Sequence, residues 1–98
     1  MAKLSKAKRG KNRWIGLMID QKPISRSMVE EKIDETMQGI NWKLYDLVAS
    51  DLHTLAILRT PLGDSQDAKD RINSIEGIST LTTSGKIRLV RERLGINQ

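Results

Sequence analysis

The sequence predicts an α+β fold in which four strands and two helices follow one another in the order β-α-β-β-α-β. Short apolar runs recur with a two-residue alternation, as half-buried strands require. Between them lie two amphipathic segments, each with apolar residues at helical spacing and a glycine at its end. The length of 98 residues limits the chain to one modest core built from two layers.

The first strand and the first helix are predicted at 13–20 and 25–39. In the strand, alternate aliphatic residues share one face: Ile15, Leu17 and Ile19. In the helix, apolar residues recur at four-residue spacing: Val29, Ile33 and Met37. Ser27 followed three residues later by Glu30 predicts a capping box, and Gly39 predicts a left-handed stop.

A hairpin, a second helix and a fourth strand complete the pattern. We predict hairpin strands at 40–49 and 53–60 and a last strand at 78–82. The second helix spans 64–77, with Asp64 as its N-cap and Gly77 as its stop. Its inward-facing residues are Ala68, Ile72 and Ile75. Helices that cover a four-stranded antiparallel sheet in this order form the ferredoxin-like two-layer sandwich.

Positive charge is concentrated at the two ends of the chain. The formal net charge is +5, yet residues 1–13 carry six basic and no acidic residues. Residues 84–98 carry four basic residues and one acidic residue, whereas 14–83 carry eleven acidic and seven basic residues. This asymmetry favours a polyanionic partner. Residues 1–12 lack an apolar pattern and are expected to form a flexible basic arm before a single domain at 13–98.

The composition argues against a catalytic or metal centre within the chain. There is no cysteine and a single histidine, His53, which excludes disulfides, thiolate metal sites and multi-histidine metal sites. No phosphate-binding loop, dinucleotide fingerprint or catalytic triad is present. The acidic residues of the first helix are interpreted as its solvated face: Glu30, Glu31, Asp34 and Glu35. No apolar run is long enough to span a bilayer, so we expect a cytoplasmic protein without a membrane partner.

The last basic segment, SGKIRLVRERLG at 84–95, is predicted to be a helix over 85–94. Its apolar residues stand at helical spacing: Ile87, Val90 and Leu94. Ser84 is the expected N-cap and Gly95 the residue that follows the last turn. One interpretation is structural, a docked amphipathic helix with arginines near its negative end. The other directs Lys86 and Arg88, with the first N–H groups of the helix, at a phosphate backbone.

These patterns favour RNA binding through both basic ends. The candidate RNA-binding residues are Lys6, Lys8, Arg9, Lys11, Arg13, Ser84, Gly85, Lys86, Arg88, Arg91 and Arg93. Trp14 is the candidate for base stacking, with a half-buried position under the C-terminal segment as the alternative.

Three segments resemble the small archaeal and eukaryal ribonuclease P protein subunit, known as archaeal ribonuclease P protein component 2 and, in eukaryotes, as the Pop-five family. They are KNRWIGLMID at 11–20, DAKDRINSIEGI at 67–78 and TLTTSGKIRLVRERL at 80–94. The last segment is the strongest match, because an apolar strand there leads into Ser84-Gly85 and a basic segment. Ile87 stands at a position that the family fills with an aliphatic residue.

The resemblance implies a subunit of the ribonucleoprotein endonuclease, a hydrolase that removes the 5′ leader from precursor tRNA. The chain would bind ribonuclease P RNA, which holds the catalytic Mg²⁺, and would contact precursor tRNA indirectly. It would pair with the larger barrel-fold protein subunit in a dimer of heterodimers. The residues themselves leave two alternatives open: another ribonucleoprotein component, such as a small ribosomal protein, and a ferredoxin-like regulatory domain that binds a small molecule.

Overall fold

The computed structural model describes residues 11–20, 25–50 and 52–96, which form an α+β fold in the order β-α-β-β-α-β-α. The elements are β1 (Asn12–Ile19), α1 (Arg26–Thr36), β2 (Lys43–Ala49), β3 (Thr54–Pro61), a 3-10 turn (Leu62–Asp64), α2 (Ser65–Asn73), β4 (Ile78–Ser84) and α3 (Ile87–Leu94). The predicted fold class and C-terminal helix are confirmed. Most of the predicted arm, residues 1–10, lies outside the described residues.

The four strands form one antiparallel sheet in the order β2-β3-β1-β4, which is compatible with the ferredoxin-like sandwich. β1 is central, because it pairs with β3 on one side and with β4 on the other. The two edge strands each contain an irregularity. Tyr45 of β2 and Leu81 of β4 are extra residues without a direct partner on the neighbouring strand. Such bulges re-aim side chains at the edge of a sheet.

The first face of the sheet carries the main core beneath α1 and α2. It buries the three predicted residues of β1, namely Ile15, Leu17 and Ile19. Val29 and Ile33 of α1 and Ala68 and Ile72 of α2 are fully buried against them. Ile75 lies beyond the end of α2 and packs against the same core while only partly buried. The spacing read from the sequence therefore gives the correct inward faces of both helices.

The second face of the sheet is covered by α3, which packs on β1, β3 and β4. Val90 is fully buried there against Ile57 of β3, and Ile87 and Leu94 complete the contact. Gly16 makes this contact possible. A Cβ atom at that position would lie 2.9 Å from Cγ1 of Val90, closer than side chains normally approach. The C-terminal helix is thus a third layer, docked through its apolar side.

The predicted helix starts were less accurate than the helices themselves. The capping box at Ser27 is wrong, because the Oγ atom of Ser25 accepts the Met28 N–H at 3.3 Å and Ser25 is the N-cap of α1. Asp64 precedes α2 as predicted but makes no side-chain cap hydrogen bond. Ser84 is not the N-cap of α3, since its pairing with Trp14 holds it in β4, and Lys86 takes that position.

The predicted helix ends fare better at α3, whose glycine directly follows the last helical residue. Gly95 follows α3 at a φ of 77°, as its position in the sequence indicated. Gly39 and Gly77 are left-handed too, at φ values of 87° and 86°, but α1 ends at Thr36 and α2 at Asn73, because turn residues separate each helix from its glycine. Among the described residues, no helix combines the length and apolarity that crossing a bilayer would require.

Candidate nucleic-acid interface

The described part of the N-terminal basic region, with Lys11 and Arg13, lies at the same end of the sheet as the start of the C-terminal basic segment. Antiparallel pairing places Arg13 opposite Thr60 and Trp14 opposite Ser84, so the start of β1 adjoins the ends of β3 and β4. α3 begins directly after β4, with Lys86 as its N-cap. A Cβ atom at Gly85 would lie 3.0 Å from Nη1 of Arg13, which shows how closely that guanidinium approaches the Ser-Gly step.

Two further cations extend this group across the sheet. Lys43 of β2 pairs with Arg59 of β3, and Arg59 pairs with Trp14 of β1. Directly paired residues share one face of a sheet, and Trp14 belongs to the apolar cluster beneath α3. Lys43 and Arg59 therefore lie on the α3 face. We define the basic end as five residues: Lys11, Arg13, Lys43, Arg59 and Lys86.

Lys43 and Arg59 were not predicted as RNA-binding residues, because each stands alone within a strand rather than in a basic run. A signal for Arg59 was present. It follows Leu55 and Ile57 at two-residue spacing, so it had to share their face of β3. The face on which Lys43 lies depends on the register of the hairpin, which the bulge at Tyr45 shifts by one residue.

The basic end contains an aromatic pair. The Trp14 and Tyr45 rings meet edge to face, with centroids 4.7 Å apart and planes at 80°. Nη1 of Arg59 donates a hydrogen bond to the Tyr45 hydroxyl at 3.0 Å. Nζ of Lys43 and Cζ of Arg59 each lie 5.5 Å from the Tyr45 ring centroid, within the range of cation–π attraction.

The five cations of the basic end form no ion pair with another described residue. The ion pairs within the described chain join four other arginines to carboxylates: Arg26 to Glu30, Arg71 to Asp67, Arg88 to Glu92 and Arg91 to Asp46. Positive charges that converge without internal compensation create a potential that attracts anions. The geometry therefore suits a phosphate-bearing partner.

The arginines of α3 have internal partners. Arg91 donates from Nε and Nη2 to the two carboxylate oxygens of Asp46, at 2.7 and 3.1 Å. These hydrogen bonds raise the pKa of the Arg91 guanidinium above its ordinary value. Arg93 donates to the Thr82 hydroxyl at 2.9 Å. Arg88 forms an exposed pair with Glu92 at 3.5 Å.

The remaining predicted site residues divide into two groups. Ser84 accepts the Lys86 N–H at 3.2 Å, and Gly85 is exposed beside Arg13, so both belong to the basic end in space. Lys86 makes no side-chain cap, which leaves the first turn of α3 without a carboxylate or hydroxyl cap. Three predicted residues of the arm lie outside the described part of the chain: Lys6, Lys8 and Arg9. Base stacking at Trp14 stays a prediction, since that ring is half-buried against α3.

Negative charge collects between α1 and β2, directly beside Lys43. A groove of about 600 Å³ between α1 and β2 is lined by Ser27, Glu30, Glu31, Asp34, Trp42, Lys43 and Leu44. Asp34 accepts a hydrogen bond from the Trp42 indole at 3.3 Å. Within the described ranges, no three histidine or carboxylate side chains converge into a group that could hold a metal ion.

Comparison of the chain with models of known protein families gives no match, and comparison with curated proteins gives none either.

Proposed function

We propose that this chain is a protein subunit of ribonuclease P that binds the catalytic RNA and assists its Mg²⁺-dependent cleavage of the 5′ leader of precursor tRNA. One observation carries the RNA-binding part of the proposal. Lys11 just before β1, Arg13 in β1 and Lys86 at the N-cap of α3 lie at the same end of the sheet. The resemblance of residues 11–20, 67–78 and 80–94 to the small ribonuclease P protein subunit is the reason for proposing ribonuclease P RNA as the partner.

The basic end would act by neutralising phosphates. Each cation that replaces a condensed counterion releases that ion to solution, so affinity rises as salt is lowered. Gly85 presents exposed backbone beside Arg13 and lets a phosphate approach closely. The first turn of α3 adds N–H groups and the positive end of the helix dipole.

The proposed chemistry belongs to the RNA. Ribonuclease P RNA would hold the Mg²⁺ ions that activate water, and this chain would contribute charge and shape that favour the active RNA conformation. It would be part of an enzyme without supplying a catalytic residue. The same proposal includes a larger barrel-fold protein subunit as partner, in a dimer of heterodimers, indirect contact with precursor tRNA, and a cytoplasmic location.

The test is a reconstitution of ribonuclease P RNA and its other protein subunits with and without this chain. Initial rates of precursor tRNA cleavage are measured over a series of Mg²⁺ concentrations. We expect the chain to lower the Mg²⁺ concentration needed for half-maximal rate. An unchanged rate and an unchanged Mg²⁺ requirement would overturn the proposal. Tight RNA binding without that effect would assign the chain to another ribonucleoprotein, such as a ribosomal particle.

A further inference from the structure

Tyr45 differs from the other aromatic residue of the basic end in how it is held. Trp14 lies in the central strand and belongs to the apolar cluster beneath α3. Tyr45 lies on the edge strand β2, is half-buried, and is the extra residue of a bulge. A bulge at an edge re-aims one side chain out of the regular alternation. The half-buried Tyr45 ring therefore lies at the edge of the sheet rather than within the apolar core.

Three neighbours fix the orientation of the Tyr45 ring. Arg59 holds its hydroxyl through the 3.0 Å hydrogen bond, and Trp14 meets it edge to face. Lys43 lies over the ring at 5.5 Å and is itself exposed. A ring that is already oriented loses little entropy when a ligand stacks on it.

The contact between Lys43 and the ring is weak enough to be replaced. A cation–π contact at an exposed site is weaker than the stacking of a nucleobase on an aromatic side chain. A base that displaces the ammonium group leaves Lys43 beside the ligand, where it can pair with the phosphate of the same nucleotide. Arg59 supplies a second cation, with Cζ 5.5 Å from the ring centroid.

We propose that Tyr45, Lys43 and Arg59 form a binding site for one unpaired nucleotide of RNA, with the base stacked on the Tyr45 ring and the phosphate bound by the two cations. This inference rests on the proposed function only in requiring that the chain binds RNA. It adds a site on β2 and β3 to the contacts of Lys11, Arg13 and Lys86.

The site discriminates between single-stranded and double-stranded RNA. In a duplex the base faces are covered by neighbouring base pairs, so only the backbone can reach the basic end. In a single strand the base can turn out and stack. Removal of the Tyr45 ring therefore weakens single-strand binding and leaves duplex binding unchanged.

The experiment compares two RNA probes with the same number of phosphates, an unstructured strand of about ten nucleotides and a hairpin duplex whose two strands are joined by a non-nucleotide linker, so that it contains no unpaired base. Affinities for the full chain and for Tyr45→Ala are measured at one salt concentration. Loss of about 1–3 kcal/mol of stacking corresponds to a roughly 5- to 150-fold weaker affinity for the single strand. Tyr45→Phe keeps the ring and serves as the matched control, with affinity within about threefold of the original chain.

A fluorescence titration tests the same site with the Tyr45 ring intact. In a Trp42→Phe background, Trp14 is the only tryptophan and lies 4.7 Å from the Tyr45 ring. We expect the single strand to change Trp14 emission along the binding curve and the hairpin to leave it unchanged. This measurement does not depend on whether Tyr45→Ala folds.

Two results would overturn the nucleotide site and leave the RNA-binding proposal standing. One is an equal effect of Tyr45→Ala on both probes, including no effect on either. The other is Trp14 emission that responds equally to strand and hairpin. If the unaltered chain binds neither probe nor ribonuclease P RNA, the proposed function itself fails.

Discussion

The two faces of the sheet bury similar aliphatic residues but use them differently. The first face is closed by two helices over β1 residues that all carry bulky side chains: Ile15, Leu17 and Ile19. The second face has Gly16 at its centre and is covered by one eight-residue helix, α3. Around the first face lies the acidic groove of α1, whereas the second borders the basic end. The main core and the part of the basic end formed by Lys43 and Arg59 are thus on opposite sides of one sheet, whereas Arg13 alternates onto the side of Ile15 at the end of β1.

A small domain can therefore position charged side chains accurately with a helix that buries few apolar side chains. α3 buries few side chains, so its docking is expected to be the weaker of the two. Yet α3 begins just after Gly85, which lies beside Arg13, and Gly16 determines how closely α3 approaches the sheet. Variants that separate the two faces test whether stability and RNA binding are divided in this way.

The largest effect is expected on the first face. Leu17→Ala removes a fully buried side chain from the centre of the main core. We expect the free energy of unfolding to fall by about 2–5 kcal/mol, because both the transfer of the side chain and the cavity contribute. Urea denaturation followed by circular dichroism measures it. A loss below about 1 kcal/mol would mean that the main core lies elsewhere.

Gly16→Val tests the second face and should leave the first core folded. Even a Cβ atom there would lie 2.9 Å from Val90 and 3.0 Å from Leu94, inside van der Waals contact, so the larger valine side chain would overlap both. We expect a cost of about 1–3 kcal/mol, with α3 displaced and Trp14 more exposed. Loss of helical circular dichroism and a red shift of Trp14 emission, recorded in the Trp42→Phe background, would report this displacement. Gly63→Ala is the matched control, because no atom lies within 4 Å of the added Cβ.

Lys86→Glu probes the basic end without touching either core, since Lys86 is exposed. Reversal of one phosphate-binding charge is expected to weaken RNA affinity roughly tenfold and to reduce the slope of affinity against salt by about 1. Lys69→Glu makes the same change in net charge on α2, away from the basic end. Salt-dependent binding measurements compare the two variants. Equal effects would show that net charge, rather than its placement, governs binding.

The fold was predictable because its signals are local and repeated. Alternation in β1 and four-residue spacing in α1 and α2 each involve several residues, so one misleading residue could not change the assignment. The N-caps were harder. Glu30 favoured Ser27 over Ser25 in the sequence, yet the helix begins one residue after Ser25. Ser84 looked like a cap but was kept in the sheet by its pairing with Trp14.

The candidate site was predictable only in part, because its second half depends on strand register. Lys11, Arg13 and Lys86 lie in basic runs, which composition alone reveals. Lys43 and Arg59 become neighbours of Trp14 through two pairings and a bulge, none of which leaves a short signature in the sequence. The prediction that Arg91 binds RNA missed Asp46, which is distant in sequence and directly adjacent in the folded chain.

The smallest effect concerns the ion pair that joins α3 to β2. Asp46→Ala removes the partner of Arg91, and we expect the free energy of unfolding to fall by about 1 kcal/mol, near the upper limit for partly exposed pairs. While Asp46 is a carboxylate, its hydrogen bonds raise the pKa of Arg91, so this contribution is fully present below the ordinary arginine pKa and is lost as the pH rises through the raised value. A double-mutant cycle with Arg91→Ala measures the coupling. The exposed Arg88–Glu92 pair, expected to contribute about 0.3–0.5 kcal/mol, is the control.

Asp46→Ala also leaves Arg91 without its carboxylate, so RNA affinity should rise if this arginine can reach a phosphate. An unchanged affinity would assign Arg91 to the docking of α3 alone.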